Sequence, residues 1–184
     1  MDLTERTVSH TRPYEGILVR VDVDRVELPN GRTAPREVVR HAGGVAVLPL
    51  NEDGTVTVVR QYRYPFGQEL VEIPAGKLDP GEQPRAGALR ELEEEVGAVP
   101  GELVELGCIY PSPGFCDEVL YLYLARKLAY GACHPDEDEF LQLERIPLEQ
   151  LTQQVMDGTV RDAKTVAAVL KAGLWLARRG KEEP

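Results

Sequence analysis

The chain has 184 residues, 42% of them hydrophobic and 28% charged, and a formal net charge of −10. That length suits one domain with a substantial core and a small appendage, while so acidic a balance excludes a nucleic-acid polymer or an anionic membrane as partner, since both need a basic surface. No apolar run approaches the ~18 residues needed to span a bilayer, and the polar start Met1-Asp-Leu-Thr-Glu-Arg-Thr does not read as a signal peptide.

Residues 15–28 alternate in the manner of a strand, with Ile17, Val19, Val21 and Val23 on one face. Pro29-Asn30-Gly31 is a turn signal, and Arg36 to His41 reads as the returning strand. We therefore expect a β-hairpin appendage over residues 1–42, divided from the main domain, 43–184, only by Gly43-Gly44. Val45 to Leu50 is a near-continuous apolar run of the kind found in buried strands. Asn51-Glu-Asp-Gly54 turns the chain into a strand over 55–62, and Gln68–Ile73 is a shorter one.

Asp79-Pro80-Gly81 then supplies a tight turn. Pro84 suits the first turn of a helix, where its missing N–H is no loss. Gly97 is a natural residue for the left-handed helix end, and Pro100 follows it. A helix over Pro84–Val96 results. Further strands are expected at 103–110, 119–127 and, past the polar loop Gly131–Glu139, at 140–146. Two helices close the chain, one after Pro147 and one capped by Asp162 that carries Val166, Val169, Leu170, Leu174 and Leu176. Strands with helices on both faces give an α/β fold, an α/β/α sandwich with a mixed sheet and an added N-terminal antiparallel hairpin. Cys108, Cys116 and Cys133 are odd in number and form no C-x-x-C pair, which fits a reducing, cytoplasmic setting and offers no zinc site. His10, His41 and His134 are scattered and read as structural.

At about 100° per residue, Leu89, Leu92 and Val96 fall on one side of the 84–96 helix and Glu91, Glu94 and Glu95 on the other. Like charges one turn apart repel, and carboxylates in the last turn face the negative end of the helix dipole. Arg90 answers part of that charge; a hard divalent cation suits the rest. A charge run is usually a solvated face, but the spacing decides otherwise. Gly76, Glu82, Arg90, Glu91, Glu94, Glu95 and Gly97, with the apolar Leu92, match Gly-x5-Glu-x7-Arg-Glu-U-x-Glu-Glu-x-Gly-U, where U is a bulky apolar residue. At ordinary residue usage, seven such identities coincide about once in 10⁸ windows. The stretch resembles the Nudix box of hydrolases that cleave a nucleoside diphosphate linked to another group. Ala98 departs from the pattern, standing where a larger aliphatic is usual.

The resemblance implies a Nudix-type sandwich and bound Mg²⁺, with Mn²⁺ as a substitute. Glu91 and Glu95 would be the main ligands, Glu94 would assist, and the carbonyl of Ala75 would also meet a metal. Carboxylates one helical turn apart point the same way and can serve two neighbouring ions. Glu82 and Arg90 would orient the loop and the ligands. In Asp136-Glu137-Asp138-Glu139 the pattern Glu-x-Glu is similar to the base and further ligand of relatives that split ADP-ribose. Spacing leaves open which is which; we take Glu137 as base and Glu139 as ligand. Pro113, fifteen residues past the last box position, resembles the marker of that same branch. Around it Ser112 and Gly114 would meet the substrate, and Glu118 would take a ribose hydroxyl or a metal-bound water. Arg36 and Arg63 resemble substrate-contacting arginines, whose planar forks suit phosphate. Arg60 is the weaker choice. Tyr14, Tyr62 and Tyr64 are available to stack on a base.

Nearly the whole chain thus resembles the ADP-ribose pyrophosphatase branch. The implied reaction is Mg²⁺-dependent hydrolysis of ADP-ribose to AMP and ribose 5-phosphate by a homodimer whose N-terminal strands reach across to the other subunit. Another nucleoside diphosphate sugar is the nearer alternative substrate. A non-catalytic nucleotide sensor is the farther alternative, and it should have lost ligands that are all present here.

Overall fold

The computed structural model describes residues 2–134 and 140–180. The chain divides into two units, one of Met1–Gly43 with Tyr110–Val119 and the other of Gly44–Ile109 with Leu120–Pro184.

In the first unit β1 (Arg6–Glu15), β2 (Arg20–Glu27) and β3 (Thr33–Arg40) form an antiparallel sheet in that order. The expected hairpin is β2–β3, closed by a turn in which Gly31 takes φ 78°. Two features differ from the sequence reading. The expected strand over 15–28 is interrupted by a turn in which the Gly16 N–H donates to the Val19 carbonyl at 2.9 Å, and Ile17 projects from it fully exposed. The buried side chains of β2 are Asp22, Asp24 and Val26, whereas Val21 and Val23 are half-buried. The reason lies in the flanking strands. Arg12 Nε and Arg40 Nε donate to Asp22 at 2.7 and 2.8 Å, and His10 Nδ1 meets Asp24 at 2.7 Å. Long cationic side chains cover the carboxylates they neutralise. β1 has almost no apolar pattern to announce it, because several of its contacts to β2 are ionic, among them Arg6–Glu27, His10–Asp24 and Arg12–Asp22. Segment 110–119 lies along β3, with Val39 N–H on the Phe115 carbonyl at 2.7 Å and Asp117 N–H on the Val39 carbonyl at 3.1 Å.

The second unit is built on β4 (Gly44–Pro49), the sequence's buried run, in which every residue is buried. It lies parallel to β9 (Leu120–Tyr130) and antiparallel to the short β7 (Ala75–Lys77), and β8 (Ala98–Ile109) completes a mixed sheet ordered β7-β4-β9-β8. A second, antiparallel sheet joins β10 (Gln142–Pro147), β5 (Thr55–Arg63) and β6 (Gln68–Glu72). Period-2 alternation splits the core in two. Ala46, Leu48, Leu122 and Leu124 pack with residues of α2 (Leu148–Met156) and α3 (Ala163–Arg179). Val45, Val47, Tyr123 and Ala125 pack against Ala88, Leu92 and Val96 of α1 (Pro84–Val96). This is the α/β/α sandwich expected, and Ala98 is fully buried in the second cluster.

Both caps of α1 are as read, with Pro84 in its first turn and Gly97 at φ 66°. Its buried stripe is not. Leu89 is 37% exposed, while Glu91 and Glu95 share the buried face with Leu92 and Val96. The stripe i, i+1, i+4, i+5 sets an apolar line on the sheet and an acidic line beside it. In α3 the buried residues are Lys164, Thr165, Ala168, Val169 and Ala172, while Leu170 and Leu174 are exposed. Small alanines, not the leucines expected, let this helix approach the sheet.

Candidate active site

The segment between β6 and α1 is held from three sides. The Pro74 carbonyl accepts from Val47 N–H at 2.9 Å, the Ile73 N–H donates to Thr165 Oγ1 at 2.9 Å, and the Ala75 N–H donates to Glu95 Oε2 at 3.0 Å. Gly76 then passes directly under Glu91. A Cβ built there would lie 1.9 Å from the Glu91 carboxyl carbon, so only glycine lets that carboxylate occupy its place. Glu91 is 8% and Glu95 4% exposed, and they stand one turn apart on α1.

Arg90 ties the acidic line to the loop. Its Nη1 donates to Glu91 at 2.8 Å and to Glu94 at 2.9 Å, its Nε and Nη2 fork onto Glu82 at 3.0 and 2.9 Å, and Nη2 also reaches the Lys77 carbonyl at 3.0 Å. Glu82 in turn accepts from Asp79 N–H at 3.0 Å, closing the turn. Arg90 hydrogen bonds, followed by that from Asp79, hold the Glu82 carboxyl below its ordinary pKa. The same bonds to Glu82, opposed by burial and reinforced by Glu91, keep Arg90 firmly cationic. One guanidinium thus faces three carboxylates.

The NUDIX domain family matches residues 40–169. The chain is 44% identical over 167 residues to a methanol dehydrogenase activator of Bacillus methanolicus, covering 90% of each chain. It is 41% identical over 169 residues to an ADP-ribose pyrophosphatase of Bacillus subtilis (strain 168), covering 91% of each. This chain belongs to the Nudix family. Among solved structures, an ADP compounds hydrolase superposes with a TM-score of 0.86 at 25% identity, over 98% of both chains.

Nudix hydrolases generally need a divalent metal ion, and the donors here fit one. They are anionic oxygens, the choice of a hard cation, and the glycine under Glu91 lets its carboxylate take its place on the acidic line. Among the described residues no three acidic, histidine or cysteine side chains converge into a ready nest. Glu137 and Glu139, the expected base and further ligand, lie outside the described residues.

The other expected residues divide by unit. In the second, Arg63 forks onto Glu72 with Nε and Nη2, each at 2.7 Å, and Arg60 pairs with Glu144 at 2.7 Å. In the first, Arg36 forks onto both oxygens of Glu5 and reaches the Pro35 carbonyl at 2.9 Å. The Ser112 carbonyl accepts from Phe115 and Cys116 N–H at 3.2 and 3.0 Å. A Cβ on Gly114 would meet no atom within 4 Å. Glu118 lies 3.4 Å from His41 Nδ1. Tyr14, Tyr62 and Tyr64 are all exposed.

The sequence reading missed Glu72, Lys164 and Thr165. Lys164 Nζ donates to Glu72 and, at 3.0 Å, to Asp162, while Thr165 Oγ1 donates to Asp162 at 2.6 Å. Glu72 is 1% exposed. Burial opposes its ionisation, but hydrogen bonds from Arg63 and the charge of Lys164 outweigh that and lower its pKa. One signal was available: a lone acid in the apolar run Leu70-Val-Glu-Ile73 asks for a buried cation.

Proposed function

We propose that this Nudix chain hydrolyses the diphosphate of ADP-ribose to AMP and ribose 5-phosphate with Mg²⁺, Mn²⁺ serving as a substitute. The observation that carries the reading is the buried pair Glu91 and Glu95 at box spacing, Glu91 over Gly76 and Glu95 on the Ala75 N–H. The activity named for the Bacillus subtilis relative supplies the substrate. Glu91 and Glu95, with the Ala75 carbonyl, Glu94 and Glu139, would hold the metal, which when bound polarises the phosphoryl oxygens and lowers the pKa of water.

The chain's own residues do the rest. Arg90 holds Glu91 and Glu94 in line and fastens them through Glu82 to the loop. Glu137 takes the proton of the attacking water, a new P–O bond forms at one phosphorus, and the diphosphate bridge breaks. Arg63 and Arg36 bind the diphosphate. Because Arg36 is paired to a partly exposed Glu5, an exchangeable surface partner, phosphate can replace that carboxylate. Ser112, Gly114 and Glu118 meet the remainder of the substrate. The exposed Val8, Tyr14, Ile17 and Leu18 of the first unit suit a homodimer contact. No described helix is long and apolar enough to cross a membrane, and a cytoplasmic small-molecule hydrolase is the setting that fits this chemistry.

Turnover of ADP-ribose against UDP- and GDP-sugars at equal concentration, with products identified, tests the assignment. Preference for a sugar nucleotide other than ADP-ribose would overturn it. The relative at 44% identity motivates a second reading, activation of a dehydrogenase; adding the chain to methanol dehydrogenase and finding no rate increase would dismiss it.

A further inference from the structure

Glu72 closes β6 at 1% exposure, and two cations from different elements reach it. Arg63, the last residue of β5, binds both its oxygens, and Lys164, in the first turn of α3, binds Oε2. A buried carboxylate needs a partner, and Arg63 alone meets that need with two bonds. Lys164 therefore calls for a separate account. It is 8% exposed, an unusual place for a lysine, and Asp162 holds it from behind at 3.0 Å.

Arg63 is the more open end of this chain of contacts, its side chain 38% exposed against 1% for Glu72. Two of its five N–H donors are engaged by Glu72. No other described acceptor takes the remainder. The same α3 turn that supplies Lys164 also supplies Thr165, which fixes Ile73 N–H, two residues before the Ala75 that Glu95 holds. Arg63 also lies within electrostatic reach of Glu95.

We infer that Glu72 and Lys164 are positioning residues for Arg63. The Glu72 fork sets the plane of the guanidinium, Lys164 stops the Glu72 carboxylate from turning, and the remaining donors of Arg63 are presented to the diphosphate. The inference rests on the proposed reading of this chain as a diphosphate hydrolase with Arg63 at the substrate. Misplacing a group that grips the diphosphate weakens its hold on substrate, so Lys164 controls substrate binding at one remove.

The test is a cycle of K164M, R63Q and their double variant, with K164R as the conservative control, each brought to equal folded concentration by thermal melting. K164M should raise KM for ADP-ribose about tenfold, K164R should restore most of it, and the double variant should be no worse than R63Q. A K164M effect that multiplies with that of R63Q, or that lowers kcat alone, overturns the inference. K164Q replaces K164M if the latter melts below the assay temperature. Independently of activity, hydrogen exchange at Arg63 Nε should be slow in the parent and K164R and faster in K164M; an unchanged rate overturns the brace. A parent protein inert towards ADP-ribose would sink the substrate reading, while the exchange measurement would still judge the brace.

Discussion

Each unit buries carboxylates, and they are answered differently. In the N-terminal sheet, Asp22 at 2% exposure faces Arg12 and Arg40, with His10 at 3.9 Å. Hydrogen bonds from Arg12 first and Arg40 second hold its pKa well below the ordinary carboxylate range. On α1, one guanidinium is divided among Glu82, Glu91 and Glu94. In the N-terminal sheet the double pairing of Asp22 makes a structural joint. Neighbouring acids gathered around one guanidinium present several anionic oxygens, the donors a hard divalent cation prefers. Burial alone does not separate the two; the arrangement of the acids does.

The largest expected effect that would break this contrast is at Glu95. Glu95→Gln keeps an oxygen for the Ala75 N–H but loses the charge, so kcat should fall by roughly 10³-fold or more with the melting temperature nearly unchanged. Retained activity would return α1 to the class of solvated or structural acids. Next is Gly76→Ala, whose methyl must displace the Glu91 carboxylate. We expect kcat/KM to fall about 100-fold and stability to drop by ~1–3 kcal/mol, read by activity and urea unfolding together. In the other unit the pattern should invert: Asp22→Asn should lower the melting temperature and leave kcat per folded molecule unchanged.

Thr165→Val sharpens the comparison from the scaffold side. It strands the buried Ile73 N–H and should cost about 1–3 kcal/mol in urea unfolding. The smallest effect at neutral pH is that of pH itself. Asp22, Glu72 and Glu82 all have folded pKa values below their ordinary ones. Ionised, they favour the folded state, so their contribution is complete above an unfolded carboxylate pKa of ~4 and is lost as pH falls through the lower folded values. Melting temperature should therefore be level from about pH 8 to 5 and decline below about pH 4; stability that rises on acidification would contradict the pairings.

Much of the site was legible because it is local. Gly76 to Gly97 lies on one loop and one helix, and Pro84 and Gly97 mark the ends where α1 starts and stops. Arg63 was read as a substrate arginine, but its partners Glu72 and Lys164 come from β6 and α3, the latter 92 residues beyond Glu72. No periodicity connects such positions. β1 escaped notice because it is held largely by charges paired across strands, a pattern that looks like solvent exposure in one dimension. The burial of Asp22 and Asp24 on β2 was hidden for the same reason: alternation marks two faces but does not say which one is inner.

By itself the sequence determined most of the strands and helices in their order, β1 and the short β7 excepted, the turn and caps around α1, and the spacing that sets Glu91 and Glu95 on one line, since these follow from bonded geometry within a few residues. Tertiary structure decided which of those acids are buried, that a glycine backbone lies beneath Glu91, and that Arg63 answers to Glu72 and Lys164. Those outcomes depend on which elements meet, because a charge enters the interior only where a distant part of the chain brings its counterpart.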